Sequence, residues 1–133
     1  MARKYIEVED TTGDFFVGSA VGGGGGGSVS GGIATGGIIT PAGGSYPYTL
    51  TTTDNGRVIR VDTSAARTIN AQASPASGFT ITFKDHVGSA ATNPATFVRD
   101  GSQTIASVSG NYSMDVDYGT WSFIFTGSDW TLL

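Results

Sequence analysis

Residues 78–85 read Gly-Phe-Thr-Ile-Thr-Phe-Lys-Asp. Side chains alternate across an extended chain, so Phe79, Ile81 and Phe83 share one face and Thr80, Thr82 and Lys84 the other. That is the pattern of a half-buried strand. Just upstream, Arg57-Val-Ile-Arg-Val-Asp-Thr63 repeats it, with Ile59 and Val61 on one face and Val58 and Arg60 on the other. Before that, Tyr46-Pro-Tyr-Thr-Leu-Thr-Thr-Thr53 is rich in strand formers and runs into Asp54-Asn-Gly56, a tight-turn signal between strands.

Downstream, Ala95–Arg99 and Thr104–Val108 are shorter strand candidates. Tyr112, Met114, Val116 and Tyr118 alternate with Ser113, Asp115 and Asp117, and Trp121, Phe123 and Phe125 follow in phase before the closing Trp130-Thr-Leu-Leu133. Asn93-Pro94, Asp100-Gly101, Gly110-Asn111 and Gly127-Ser-Asp129 punctuate these runs, giving seven or eight short strands. No window carries an apolar stripe at helical spacing. The reading is all-β: an antiparallel β-sandwich, jelly roll or small barrel over 46–133.

Residues 1–45 differ. Fourteen of the 21 glycines lie in residues 1–44, and from Gly22 the chain reads GGGGGGSVSGGIATGGIITPAGGS to Ser45. Ordering such a stretch costs much backbone entropy and gains few side-chain contacts, so it predicts an extended glycine-rich N-terminal arm. Val29, Ile33, Ile38 and Ile39 recur through it, with Phe15 and Phe16 upstream. Two readings stay open: an arm that lies along another protein with these side chains as anchors, or a solvated linker with incidental aliphatics. The glycine run matches a dinucleotide fingerprint only trivially, since no helix pattern follows.

The 133-residue chain suits one domain, and no apolar stretch of about 18 residues predicts a membrane-spanning helix. Met1–Asp10 lacks the apolar core of a secretory signal, so synthesis in the cytoplasm is expected. With no Cys, disulfides, thiolate chemistry and the usual zinc or iron–sulfur sites are excluded. A net charge of −4 opposes general nucleic-acid binding, which needs a basic surface. Charged residues make up 14% of the chain, against about 25% in ordinary soluble domains. Both Trp, five of seven Phe and four of five Tyr fall in 46–133. So much aromatic surface in so small a body favours burial between copies over a single self-sufficient core.

No enzyme class emerges. His86 is the sole histidine, and a solvated loop position fits it better than a triad with Asp85 and Ser89. Asp115 and Asp117 suit a solvent-facing acidic row better than a calcium pair, because the other positions of a calcium loop are missing. Arg57, Arg60, Arg67, Lys84 and Arg99 read as outer-face partners of Asp54, Asp62, Asp85 and Asp100, or else as contacts to an acidic partner. Trp121, Trp130, Tyr112 and Tyr118 read as core in preference to a sugar-stacking platform. No catalytic, cofactor-binding or metal residue is expected.

The run Tyr48-Thr-Leu-Thr-Thr-Thr-Asp-Asn-Gly-Arg-Val-Ile-Arg-Val-Asp-Thr63 carries a resemblance. Together with Arg67-Thr-Ile69, Gly78–Asp85, Ala91-Thr-Asn-Pro94, Asp100-Gly-Ser-Gln-Thr-Ile105 and Gly127-Ser-Asp-Trp-Thr-Leu-Leu133, it resembles small β-rich modules of tailed-bacteriophage virion proteins. These occur in capsid decoration (cement) proteins, head fibres and tail-fibre segments, commonly as trimers. One module behind an arm, without repeats or coiled coil, is more similar to a decoration protein than to a fibre. The resemblance implies a homotrimer on the outer capsid surface of the virion, made in the bacterial host cytoplasm, with the major capsid protein as partner. Phe15, Phe16, Val29, Ile33, Ile38 and Ile39 would then be its anchors. A receptor- or carbohydrate-binding module of a head or tail fibre is the alternative. The modules bring no catalytic residues with them.

Overall fold

The computed structural model describes residues 36–133, which form one compact unit. Ten strands follow in order: β1 (Ile38–Ile39), β2 (Tyr48–Thr49), β3 (Arg57–Val61), β4 (Arg67–Asn70), β5 (Thr80–Asp85), β6 (Ala95–Val98), β7 (Thr104–Ile105), β8 (Tyr112–Met114), β9 (Thr120–Phe125) and β10 (Asp129–Leu132). No α-helix occurs among the described residues, and no helix is long and apolar enough to cross a membrane. The all-β expectation holds.

The antiparallel sandwich or jelly roll does not. One sheet runs β1-β3-β5-β9-β10-β7 and the other β2-β4-β6-β8, so the chain changes sheet at every strand as far as β9. Consequently β1, β3 and β5 are parallel, as are β2, β4 and β6. Ile38 pairs with Val58 and Arg57 with Ile81; across the core Tyr48 pairs with Ile69 and Arg67 with Ala95. Each coil therefore takes roughly 20–28 residues, in a solenoid-like stack. A parallel neighbour needs a crossover of about a dozen residues or more, and here a strand of the opposite sheet supplies it. The winding then reverses: β8 and β9 return antiparallel to β6 and β5, and β10 pairs antiparallel with β9 and parallel with β7.

Two ladders show the stacking. Ile39, Ile59, Phe83 and Trp121 stand in register across the larger sheet, and Tyr48, Ile69, Phe97 and Tyr112 across the smaller. The inner faces meet around Phe97, whose ring lies 5.0 Å from Phe83, 5.2 Å from Phe123 and 5.4 Å from Trp130, centroid to centroid. The inward residues expected at 59, 61, 79, 81, 83, 123 and 125 are all buried, and Trp130 is fully buried. All five Phe of this unit sit in one core, with Tyr46, Tyr48, Tyr112 and Trp121 packed partly against it. Of the aromatics of this unit only Tyr118 is largely exposed.

Asp54-Asn-Gly56 is also not a hairpin. Thr52–Asp54 forms a turn of 3₁₀ helix, and the Asn55–Gly56 corner passes the chain from one sheet to the other. Gly56, at φ +80°, takes the left-handed backbone that glycine tolerates. Its N–H donates to the Thr80 carbonyl at 2.8 Å, while Thr80 N–H donates to Asn55 Oδ1 at 3.0 Å. Asn55 N–H still closes the 3₁₀ turn on the Thr52 carbonyl at 3.3 Å, while the Asn55 side chain and Gly56 N–H bond the next coil. Likewise the alternation over Tyr112–Tyr118 ends at buried Met114; Val116 and Tyr118 are exposed, in a loop leading to β9.

Candidate functional site

Of the six anchor candidates, Phe15, Phe16, Val29 and Ile33 lie outside the described residues. Ile38 and Ile39 form β1, the end strand of the six-stranded sheet, in parallel register with Val58 and Ile59. Ile39 packs against the chain's own core, whereas Ile38 is 69% exposed. On its outer side β1 has no strand neighbour among the described residues, and neither does β2 at the same end of the other sheet. Such an edge offers unpaired backbone groups to another strand. The opposite end differs. There β7 runs into a tight turn in which Ile105 and Val108 bond each other, with Ala106 and Ser107 at positive φ. Among the described residues Ile38, Val108, Val116, Tyr118, Leu132 and Leu133 are the exposed large apolar side chains.

The carboxylates behave differently from the expected outer-face pairs. Asp54 and Asp85 are each 1% exposed. Asp54 Oδ2 accepts from Thr51 N–H (2.9 Å) and its hydroxyl (3.2 Å), Oδ1 accepts from Tyr48 Oη (3.1 Å), and Arg57 stands 3.9 Å away. Asp85 pairs with no cation among the described residues. Its Oδ1 accepts from Thr63 Oγ1 (2.6 Å), Val87 N–H (3.0 Å) and Gly88 N–H (2.9 Å), and its Oδ2 from Ala90 N–H (3.1 Å) and Tyr118 N–H (3.0 Å). Burial by itself would push the Asp85 carboxyl up. The hydrogen bonds from Thr63, Gly88, Tyr118 and Ala90 outweigh it and hold the group far below the usual carboxylate range. One charged group thereby ties the end of β3, the 86–90 loop and the entry to β9.

Gly88 completes this knot. It has φ +86°, and a Cβ there would meet the Tyr118 ring at 2.2 Å. Gly88→Ala is expected to cost about 2 kcal/mol, combining left-handed strain with the displaced ring, and urea unfolding would measure it.

Other candidates resolve into structural roles. Among the described residues two of the expected pairs form, Arg57 with Asp54 at 3.9 Å and Arg67 with Asp62 at 2.9 Å, the Arg67 guanidinium also lying 4.8 Å from the Tyr46 ring centroid. The Ser64 hydrogen bonds, with Arg67 adding to them, hold the Asp62 carboxyl low. Asp117 accepts from Ala91 N–H at 2.8 Å, so Asp115 and Asp117 are not two equivalent carboxylates on a strand face. His86 Nδ1 lies 3.2 Å from an Arg60 guanidinium nitrogen, and its ring makes no hydrogen bond to a serine among the described residues. Trp121, Trp130, Tyr112 and Tyr118 do not form a platform: Trp130 is in the core, Tyr112 packs edge-on against Phe123, and Tyr118 covers Gly88. Among the described residues no three His, Cys, Asp or Glu side chains gather as a metal site would require.

Sequence reasoning missed Gln103. Its buried amide donates to the Gln72 (2.8 Å) and Ala73 (3.3 Å) carbonyls and accepts from Asp100 N–H (3.2 Å) and Trp130 Nε1 (3.0 Å). Little local marks position 103, because apart from Asp100 N–H three residues away its partners lie in two segments 27 to 31 positions distant. The Asp85 cluster had a faint signal in Asp85-His-Val-Gly88, a carboxylate followed by a glycine at turn spacing.

No protein-family model and no curated protein matches this chain.

Proposed function

We propose that the chain is a non-catalytic structural protein of a tailed-bacteriophage particle: a decoration protein seated as a homotrimer on the outer shell, bracing the major capsid protein. One observation carries this beyond the sequence resemblance. Most carboxylates of the described unit hold its own turns, while a sheet edge with exposed Ile38, inside the glycine-rich stretch, has no strand neighbour among the described residues. That combination suits strand addition and surface docking better than chemistry. Val29 and Ile33 in the arm, with Ile38 at the edge, supply the apolar contacts. Ile39 is withdrawn from that set because it packs on the chain's own core. Weak contacts repeated threefold give a firm hold on a repeating lattice, which is how such a protein would resist pressure from within.

The test is a density map of particles of the phage that encodes the chain, with binding of the full-length protein to shells stripped of it. Trimeric density on the outer shell is expected, with light scattering near three times 13.6 kDa in solution. Val29→Ser with Ile33→Ser should weaken shell binding at least about tenfold, since each lost aliphatic contact is worth over 1 kcal/mol. Absence from the particle, or unchanged binding by the double variant, would refute the reading.

A further inference from the structure

Three loops meet at one end of the core to form an open cleft of about 450 Å³, within the roughly 300–1,000 Å³ range of small-ligand sites. One wall is the 73–75 segment, the second the 100–103 turn, the third residues 127–128, with Phe125 at the base. Each wall is fixed. Gln103, 8% exposed, binds the first wall through the Gln72 and Ala73 carbonyls. It holds the second through Asp100 N–H and anchors both to the indole of Trp130. Arg99 donates to the Gly101 and Gln103 carbonyls behind the same turn. The third wall is tied by Thr104 N–H to the Ser128 carbonyl at 3.0 Å. A rim held this way needs little ordering when a ligand arrives.

The rim's functional groups are left over. Asp54, Asp62, Asp85, Asp117 and Asp129 all accept hydrogen bonds from the protein itself. The Asp100 carboxylate has no protein partner among the described residues, and neither do the hydroxyls of Ser74, Ser102 and Ser128. One unpaired acceptor and three groups that both donate and accept therefore face a cleft walled in part by Pro75.

We propose that this cleft binds a neutral polyhydroxylated ligand, a pyranose ring of a saccharide, with Asp100 as the principal acceptor for adjacent ring hydroxyls. The serine hydroxyls match a ligand whose groups also donate and accept. Pro75 and Ala73 give an apolar strip for the C–H face of the ring. A lone carboxylate without a second acidic or histidine ligand is a poor divalent-cation site, and net charge −4 disfavours anions. Gln103 acts as a positioning residue, since all its polar atoms are engaged behind the rim. This inference is independent of where the protein sits on a particle.

The experiment titrates the isotopically labelled full-length chain with methyl glucopyranoside, methyl galactopyranoside and N-acetylglucosamine, reading amide chemical shifts, with methylammonium as a cationic control. Saturable shifts confined to 73–75, 100–103 and 127–128 are expected for at least one sugar, with a dissociation constant of order 1–10 mM. Asp100→Asn and Ser102→Ala, both exposed and outside the core, should each weaken it about fivefold or more while the other amide positions stay unchanged. No saturable shift at tenfold that concentration, shifts elsewhere on the surface, or response to methylammonium alone would overturn the assignment.

Discussion

Asp85→Ala is expected to cost about 4 kcal/mol, a large part of the roughly 5–15 kcal/mol that holds a domain of this size folded. The substitution removes the acceptor for one hydroxyl and four backbone N–H groups. A buried donor left without a partner costs about 1–3 kcal/mol, though loop donors regain part of this by reaching water. Asp85→Asn should recover only part of the loss, because its NH2 group would confront donors where the carboxylate accepted. Asp115→Ala, at an exposed side chain with no protein partner among the described residues, should stay within about 0.5 kcal/mol of the parent. Urea unfolding of the three variants checks the order. The same group dictates the acid limb. The folded carboxyl titrates below its unfolded value near 3.9, so between the two the unfolded chain binds more protons, and stability falls as pH falls. Stability should therefore be level near neutrality and decline from about pH 5 downward. Asp129 adds to this limb: burial pushes its carboxyl up, but Thr104, Thr131 and Ser107 N–H hold it low. The Asp85→Asn variant should show a shallower decline, and an unchanged acid limb would mean that Asp85 does not hold the loops.

Phe97→Ala should cost about 3–5 kcal/mol, the range for truncating a fully buried aromatic. Phe97 is the place where the two sheets are joined. It projects from the four-stranded sheet into a cage of Phe83, Phe123 and Trp130 from the other, and is completely buried. Removing the ring leaves a void between two sheets whose spacing neighbouring ladders hold, so the cavity cannot collapse fully. Phe97→Leu, which keeps much of the volume, should lose less than half as much. Near-ultraviolet circular dichroism should change with Phe97→Ala through the nearby Trp130, and urea midpoints give the energies. A loss under about 1 kcal/mol for the alanine variant would mean that the sheets are held together elsewhere.

How legible the molecule was depends on the range of each interaction. Phe79, Ile81, Phe83, Ile59, Val61, Phe123 and Phe125 were placed inward from local alternation alone, and all are buried. The period of two is set by each residue's own backbone, whatever strand lies alongside. For the same reason it could not tell parallel from antiparallel. One-sided alternation usually marks antiparallel sheets, since parallel ones are commonly covered on both faces. Here parallel strands lie in a two-sheet stack with one face of each uncovered among the described residues, so the usual inference fails. Asp54-Asn-Gly56 misled similarly: a turn's residues specify its backbone, not whether the strands it joins share a sheet. Asp85 was read as an outward carboxylate because charge normally stays in water. Only the convergence of Thr63, the 87–90 amides and Tyr118, up to 33 positions away in sequence, makes its burial affordable.

Taken alone, the order of amino acids determined the strand content, the inward set of apolar residues and the change of character after the glycine-rich stretch, because each arises from neighbours in the chain. The tertiary structure decided the coil-by-coil pairing, the place of β1 at the end of its sheet among the described residues, the knot around Asp85 and the Gln103-braced cleft. Each of these is a meeting of segments tens of residues apart. Which segments meet is chosen by the total fit of two ladders across one core, a sum that no local window contains.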